Sequence, residues 1–272
     1  APHEPVETFN NQIVGSPLAF LSLPTGSTNF PRLPFGAFTS SALGVANPRA
    51  PARECGCILA AGANHTHHDL TCNKHAAFKA GHDLIVDGLD RLMWSGCIPS
   101  NMTNVPCHAT TAKCGDVHTK MSSDQRCEII DVTCVCPPSH ADAPRTLQTA
   151  HNAKLQKHGL AYNTKNMTLV PFVTTTLGKL HPETVHTTMV LAINIARREA
   201  AFCNTGLKFQ TVVDQKPQWV HRALGAHIAG GMALRACGLD YAREALPPRS
   251  RGWRTQEDIT AGACWGDLGF FD

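Results

Sequence analysis

The chain has 272 residues, 43% of them hydrophobic and 6% aromatic, and carries a formal net charge of +3. That length can bury a sizeable core, as one large domain or as one domain with extensions. The mild basicity does not by itself point to nucleic acid, the few aromatics argue against a base-stacking platform, and with no run near 18 apolar residues no transmembrane helix is expected.

The first residue is Ala1 rather than Met, which fits a processed chain or a fragment and is compatible with cleavage after organelle import. The 12 Cys admit two readings. A secreted disulfide protein would suit the three sequons at Asn64, Asn101 and Asn166. A reduced compartment suits a chain too long to need staples, with a few metal-ligating Cys and several buried ones. The second reading takes precedence, so a mitochondrial or nuclear location is expected ahead of a secreted one.

Residues 1–50 form a Pro-, Gly- and Ser-rich arm with neither helical nor alternating period. Such a segment gains order by lying on the rest of the chain or on other protein subunits, with Phe20, Phe30, Phe35 and Phe38 as anchors. Residues 51–73 hold a Cys/His cluster, and 74–240 make up the main domain. Within it, Phe78, Leu84, Ile85, Leu89, Leu92 and Met93 recur at helical spacing and predict a helix over 74–95. Residues 97–112 read as loop. Strands are predicted over 113–119 and 126–136, the second β-branched and stopped by Pro137-Pro138. A basic helix over 145–161 follows, then a strand over 168–178 ending at Gly178. Helices over 182–202 and 217–237 close the domain, the first with Pro182 at its start and the second with Gly238 as cap. Residues 241–272 read as an irregular tail. No internal repeat is present. This order predicts an α/β fold with a small mixed sheet flanked by helices.

Two groups of residues carry candidate chemistry. "CGCILAAGANHTHHDLTC" supplies Cys55, Cys57, His67, His68 and Cys72. Structural zinc takes four Cys or His ligands in a tetrahedron, and His67 or His68 with Cys72 would share one face of a helical turn. The alternative is buried Cys beside solvated His. The second group lies in "KCGDVHTKMSSDQRCEIIDVTC", where Asp116 follows a Gly in one predicted strand and Asp131 follows the apolar Ile129-Ile130 in the next. Carboxylates on adjacent strands can hold a divalent ion, usually Mg²⁺, and a nearby Lys can orient the attacking water. Asp131 sits in an apolar strand, where an acid is costly unless partnered. The bland alternative is two unrelated surface acids, a strand-edge acid capping a loop.

From about Phe38 to Ala236 the chain resembles the restriction-like endonuclease domain of site-specific non-LTR retrotransposon proteins. The resemblance rests on "ALGVANP", "CGC…HHDLTC", "GHDLIVDGL", "KCGD", "IIDVTCVCPP", "HNAKLQKHGLAY", "TLVPFVTTTLGKL" and "ALGAHIAGGMAL", in the family's order. It implies a restriction-endonuclease-like fold of the PD-(D/E)XK kind, a zinc knuckle, DNA or RNA as partner, and Mg²⁺ held by Asp116 and Asp131. The family takes its catalytic Lys from the helix after the second acid, where Lys157 and Lys154 both stand.

Departures from the family pattern are several. Arg-His-Asn is replaced by Gly81-His82-Asp83, the Glu-Pro before the first acid is missing, and Thr133 stands two residues beyond the second acid. His158 stands where the family would put a Lys. The departures predict weak cleavage or none. The runner-up reading is a catalytically inert structural subunit of a larger assembly, such as an organellar ribonucleoprotein.

Overall fold

The computed structural model of the chain describes residues 68, 70–74, 76–101, 115–121, 126–137 and 142–202, with 216–217, 220–221, 223–225, 227–232 and 235. The arm at 1–50 with its Phe anchors, the residues Cys55, Cys57 and His67, and the tail at 241–272 lie outside the described residues.

The described residues form an α/β unit. Helix α1 is Ala76–Ser95. Four strands follow in the order β1 (Ser100–Asn101), β2 (Val117–Thr119), β3 (Cys127–Val135) and β4 (Met167–Thr175). Between β3 and β4 the chain forms α2 (Ala143–Lys154), a π-helical turn (Leu155–Gly159) and a last single turn, α3 (Leu160–Asn163). Helix α4 is Pro182–Phe202. The described residues from 216 to 235 are helical. No helix among the described residues is long and apolar enough to cross a membrane.

The strands make one mixed sheet in the order β1-β2-β3-β4. β1–β2 and β2–β3 are antiparallel, whereas β3–β4 is parallel along its whole length, from Cys127 opposite Met167 to Val135 opposite Thr175. A parallel pair needs a long crossover, and the helical stretch α2 to α3 supplies it. β4 borders only β3 among the described residues, so Pro171, which has no N–H to give a further strand, is tolerated there.

β3 reads CEIIDVTCV, a β-branched strand buried on both faces. Alternation of side chains divides it. Ile130 and Val132, with Phe172 of β4, pack into the main core with Ile85, Leu89 and Met93 of α1 and Leu191 and Ile195 of α4. Leu224 and Ile228 of the last helical stretch join that core. On the opposite face Ile129 meets Leu169 and Tyr162 in a smaller cluster under α3. Each such side chain, fully buried, contributes about 1.5–3 kcal/mol.

Sequence and structure part at several boundaries. The predicted loop over 97–112 contains β1, two residues that carry no strand pattern. They are held by polar contacts: Ser100 Oγ donates to Asp90, and Thr119 Oγ1 donates to Pro99 O at 3.0 Å. The strand predicted over 113–119 is regular from Val117. The helix predicted over 145–161 begins at Ala143, because Pro144 is tolerated in its first turn, and continues through the π turn to Asn163. The strand predicted over 168–178 closes at Thr175, where Gly178 N–H turns back onto Thr175 O at 2.9 Å.

Helix α1 ends in a Schellman arrangement. Ile98 N–H donates to Met93 O at 2.9 Å and Cys97 N–H to Trp94 O at 3.0 Å. Cys97 adopts φ 54°, a left-handed conformation that glycine occupies without strain. Cys97→Gly is therefore expected to raise stability by up to about 1 kcal/mol. A thermal melt would show it as an upward shift, and an unchanged or lower midpoint would count against strain at this cap.

Helix α4 begins on an imidazole. Glu183 N–H donates to His181 Nδ1 at 3.2 Å, and His181 Nε2 stands 3.1 Å from Gln148 Oε1 of α2. The His181 ring stacks on His151 with centroids 4.1 Å apart. Burial holds both imidazoles below their ordinary pKa, and the neighbouring Glu183 only partly opposes it. Burial also drives His227 down to about 4, with Arg91 adding to the effect. At neutral pH these rings are uncharged in both folded and unfolded chains and cost nothing. Below about 6.5 the unfolded chain binds protons that the folded chain refuses, so stability falls as the pH drops. His82, whose pKa is raised, works in the opposite sense, its contribution being lost as pH rises. The lowered group outnumbers it, so the melting temperature is expected to fall between pH 7 and pH 5; a flat profile over that range would contradict this account.

Candidate functional site

The turn into β2 sets the site. Gly115 has φ +107°, which L side chains rarely adopt. A Cβ there would overlap the Ile129 side chain and stand 2.9 Å from the Tyr162 hydroxyl. The next residue is Asp116. Its N–H donates to Ile130 O at 2.7 Å, and its Oδ2 accepts from Val132 N–H at 2.7 Å. The carboxylate thus substitutes for a carbonyl of the ladder where β2 begins. Val117 faces Ile130 across β2–β3, so Asp116 flanks the strand at Asp131.

Asp131 lies in the middle of β3 and is 4% exposed. Its Oδ1 stands 2.8 Å from Lys154 Nζ, at the end of α2. Its Oδ2 is buried with no hydrogen-bond partner among the described residues. A buried carboxylate oxygen normally has at least one partner, so an orphan of this kind calls for an explanation. Tyr162 of α3 is fully buried on the same side as Asp131. Burial, and then the negative charges of Asp131 and Asp116, push its phenol up to about 12. The hydroxyl therefore stays protonated and can act as a donor at any ordinary pH.

The sequence offered Lys157 and Lys154 as alternatives for the cation. The structure brings Lys154 to Asp131 and leaves Lys157 exposed on the π turn, without an ion pair among the described residues. His158, between them and Tyr162, is buried.

Two further residues belong to this constellation and were not singled out by sequence reasoning. Tyr162 is one. His82 of α1 is the other: its Nε2 stands 3.3 Å from Asp116 Oδ2 and 3.2 Å from Val132 O. Its Nδ1 is 3.4 Å from Asp83 Oδ1, and Asp83 is paired with Lys79 Nζ at 2.9 Å. Burial pulls the His82 pKa down, but hydrogen bonding and attraction to Asp116 outweigh it, and the net shift is upward. The available signal was its place in "GHDLIVDGL", where it is the one residue of the Arg-His-Asn pattern that the chain keeps.

Of the proposed zinc ligands, His68 and Cys72 are described. Cys72 N–H donates to His68 O at 2.8 Å, which puts the two one helical turn apart. Cys72 is buried. Among the described residues no three His, Cys, Asp or Glu gather as a metal cage. No family model matches the chain, and no curated protein matches it.

Gly115→Ala tests the backbone at the site. The strain and the overlap with Ile129 together should cost more than about 2 kcal/mol. Denaturant unfolding would show this as a lower midpoint, and a variant as stable as the parent would mean that the turn does not need glycine.

Proposed function

We propose that the chain carries a divalent-metal-dependent phosphodiesterase site of the restriction-like endonuclease class, inherited from a retrotransposon endonuclease domain and acting on DNA or RNA. The observation that carries this reading is the buried Oδ2 of Asp131, without a hydrogen-bond partner among the described residues, on the strand that Asp116 flanks and with Lys154 at its other oxygen. A carboxylate oxygen kept free in a dry site suits a cation. Two carboxylates without a third protein ligand suit Mg²⁺, which is commonly held by one or two acids with waters and substrate phosphates completing its shell. The chemistry such an ion supplies when bound is polarisation of the scissile phosphate and a lowered pKa for its water.

The roles of the protein groups follow from their positions. Asp116 and Asp131 would hold the ion. Lys154 neutralises Asp131 while no substrate is present, and its ammonium can then turn to a phosphate oxygen or orient the attacking water. The Tyr162 phenol, kept protonated, offers a hydrogen bond and no charge. Lys157 lies on the exposed turn, where a backbone phosphate contact would suit it better than the chemistry. The Cys/His segment fits a structural zinc knuckle of Cys55, Cys57, His67 or His68, and Cys72. His68 and Cys72, one helical turn apart, have the spacing such a site needs.

One observation favours the second reading, an inert structural subunit of a larger assembly. Lys154 already occupies Asp131 at 2.8 Å, and no third acid joins the pair among the described residues. Losing one ligand of such a site can remove several kcal/mol of transition-state stabilisation, at about 1.4 kcal/mol per tenfold in rate.

Plasmid, single-stranded DNA and RNA incubated with the full chain in Mg²⁺ or Mn²⁺ decide between the two. Slow, metal-dependent cutting is expected, reduced about 100-fold or more by Asp131→Asn, with Lys154→Met also impaired. The folded state of each variant is checked by circular dichroism. Failure of the folded parent to cut any substrate with either ion would retire the enzyme in favour of the structural subunit.

A further inference from the structure

Helix α1 reaches the site from the main-core side of the sheet, and its position there is tightly defined. Gly81 of α1 and Gly231 of the last helical stretch approach so closely that a Cβ on either would run into the other's backbone carbonyl. Arg235, one turn further along, lies over the Phe78 ring at 4.0 Å. These contacts fix the start of α1 and, with it, the residue after Gly81.

That residue is His82. Its Nε2 faces two acceptors, a backbone carbonyl and a carboxylate oxygen, so this nitrogen carries the hydrogen. Asp116 Oδ2 thus accepts from Val132 N–H at 2.7 Å and is faced at 3.3 Å by His82 Nε2, whose N–H is shared with Val132 O at 3.2 Å. Oδ1 has no hydrogen bond among the described residues. The other edge of the ring faces Asp83, itself held by Lys79. A carboxylate only accepts, so the contact with Asp83 is a hydrogen bond when the ring carries its second proton, and the contact that holds the ring in either state is the one at Nε2.

We propose that His82 is a positioning residue for the two-carboxylate site: with Val132 N–H it occupies Oδ2 of Asp116 and reserves Oδ1, correctly turned, for a divalent cation. This rests on the metal-site reading above. Groups that orient a metal's carboxylate or imidazole ligands from behind commonly set affinity as strongly as some ligands do. The pairing is specific in its geometry. The ring supplies one N–H at a fixed reach from α1, and a side chain that offers an N–H at the same reach should replace it.

The test uses Mn²⁺ as probe, titrated into the full chain after dialysis against a weak chelator, with the parent, His82→Ala and His82→Gln compared at one pH. Gln carries an amide N–H at about the reach of imidazole Nε2. His82→Ala should weaken Mn²⁺ binding about 10- to 100-fold, and His82→Gln should stay within about threefold of the parent. Where cleavage is measurable, the loss in His82→Ala should fall on kcat with KM little changed. A folded His82→Ala that binds Mn²⁺ like the parent would overturn the proposal. So would a folded His82→Gln as weak as the alanine variant, since the N–H would then not be what matters. If His82→Ala does not fold, His82→Gln alone decides, by binding like the parent or not. If the parent itself fails to bind Mn²⁺, the two-carboxylate reading is overturned and the role of His82 falls with it, an outcome distinct from a parent that binds and variants that bind equally.

Discussion

Asp131 occupies the centre of a strand buried on both faces, and a carboxylate in that place must find a cation. Removing such a charge from water costs several kcal/mol, which the protein offsets only by pairing it well. Lys154 provides the pairing at 2.8 Å. The demand propagates outward. α2 has to end over the face of β3 that carries Asp131, so the crossover from β3 to β4 must run along that face. The parallel pairing of β3 with β4, and the position of Pro171 beside Asp131, belong to the same arrangement.

The sheet separates two sets of contacts that the site draws together. Tyr162 belongs to the small cluster with Ile129 and Leu169. α1, which carries His82, is packed into the large core through Ile85, Leu89 and Met93. Asp116 stands where the two meet, with its backbone tied to Ile130 and its carboxylate to Val132. Loosening either core would therefore move one side of the acid pair relative to the other, and Arg235 and the crossing at Gly81 act on the site without touching it.

Much of the scaffold was legible in the sequence. The β-branched run of β3 and the helical spacing in α1 are strong patterns, and both segments take the expected form within a few residues. The acids were legible too, because an Asp in the middle of IIDVT is anomalous unless it has a partner. β1 was not, since Ser100 and Asn101 carry no alternation and are placed by Asp90 and Thr119 from elsewhere in the chain. Nor was the contact of His82 with Asp116, which depends on how α1 crosses the last helical stretch and on no local rule. The choice between Lys154 and Lys157 could not be read because residue counting assumes a regular helix.

That assumption fails at Leu155–Gly159. In an α-helix at 3.6 residues per turn, Lys154 and Tyr162, eight residues apart in number (154 to 162), would project about 80° away from each other. A turn closed by i→i+5 bonds takes up about one more residue and returns the two groups towards a common face. The helix thus behaves as a vernier. A single residue inserted or removed between its two site groups would change whether they share a face, while the sheet beneath them kept its register.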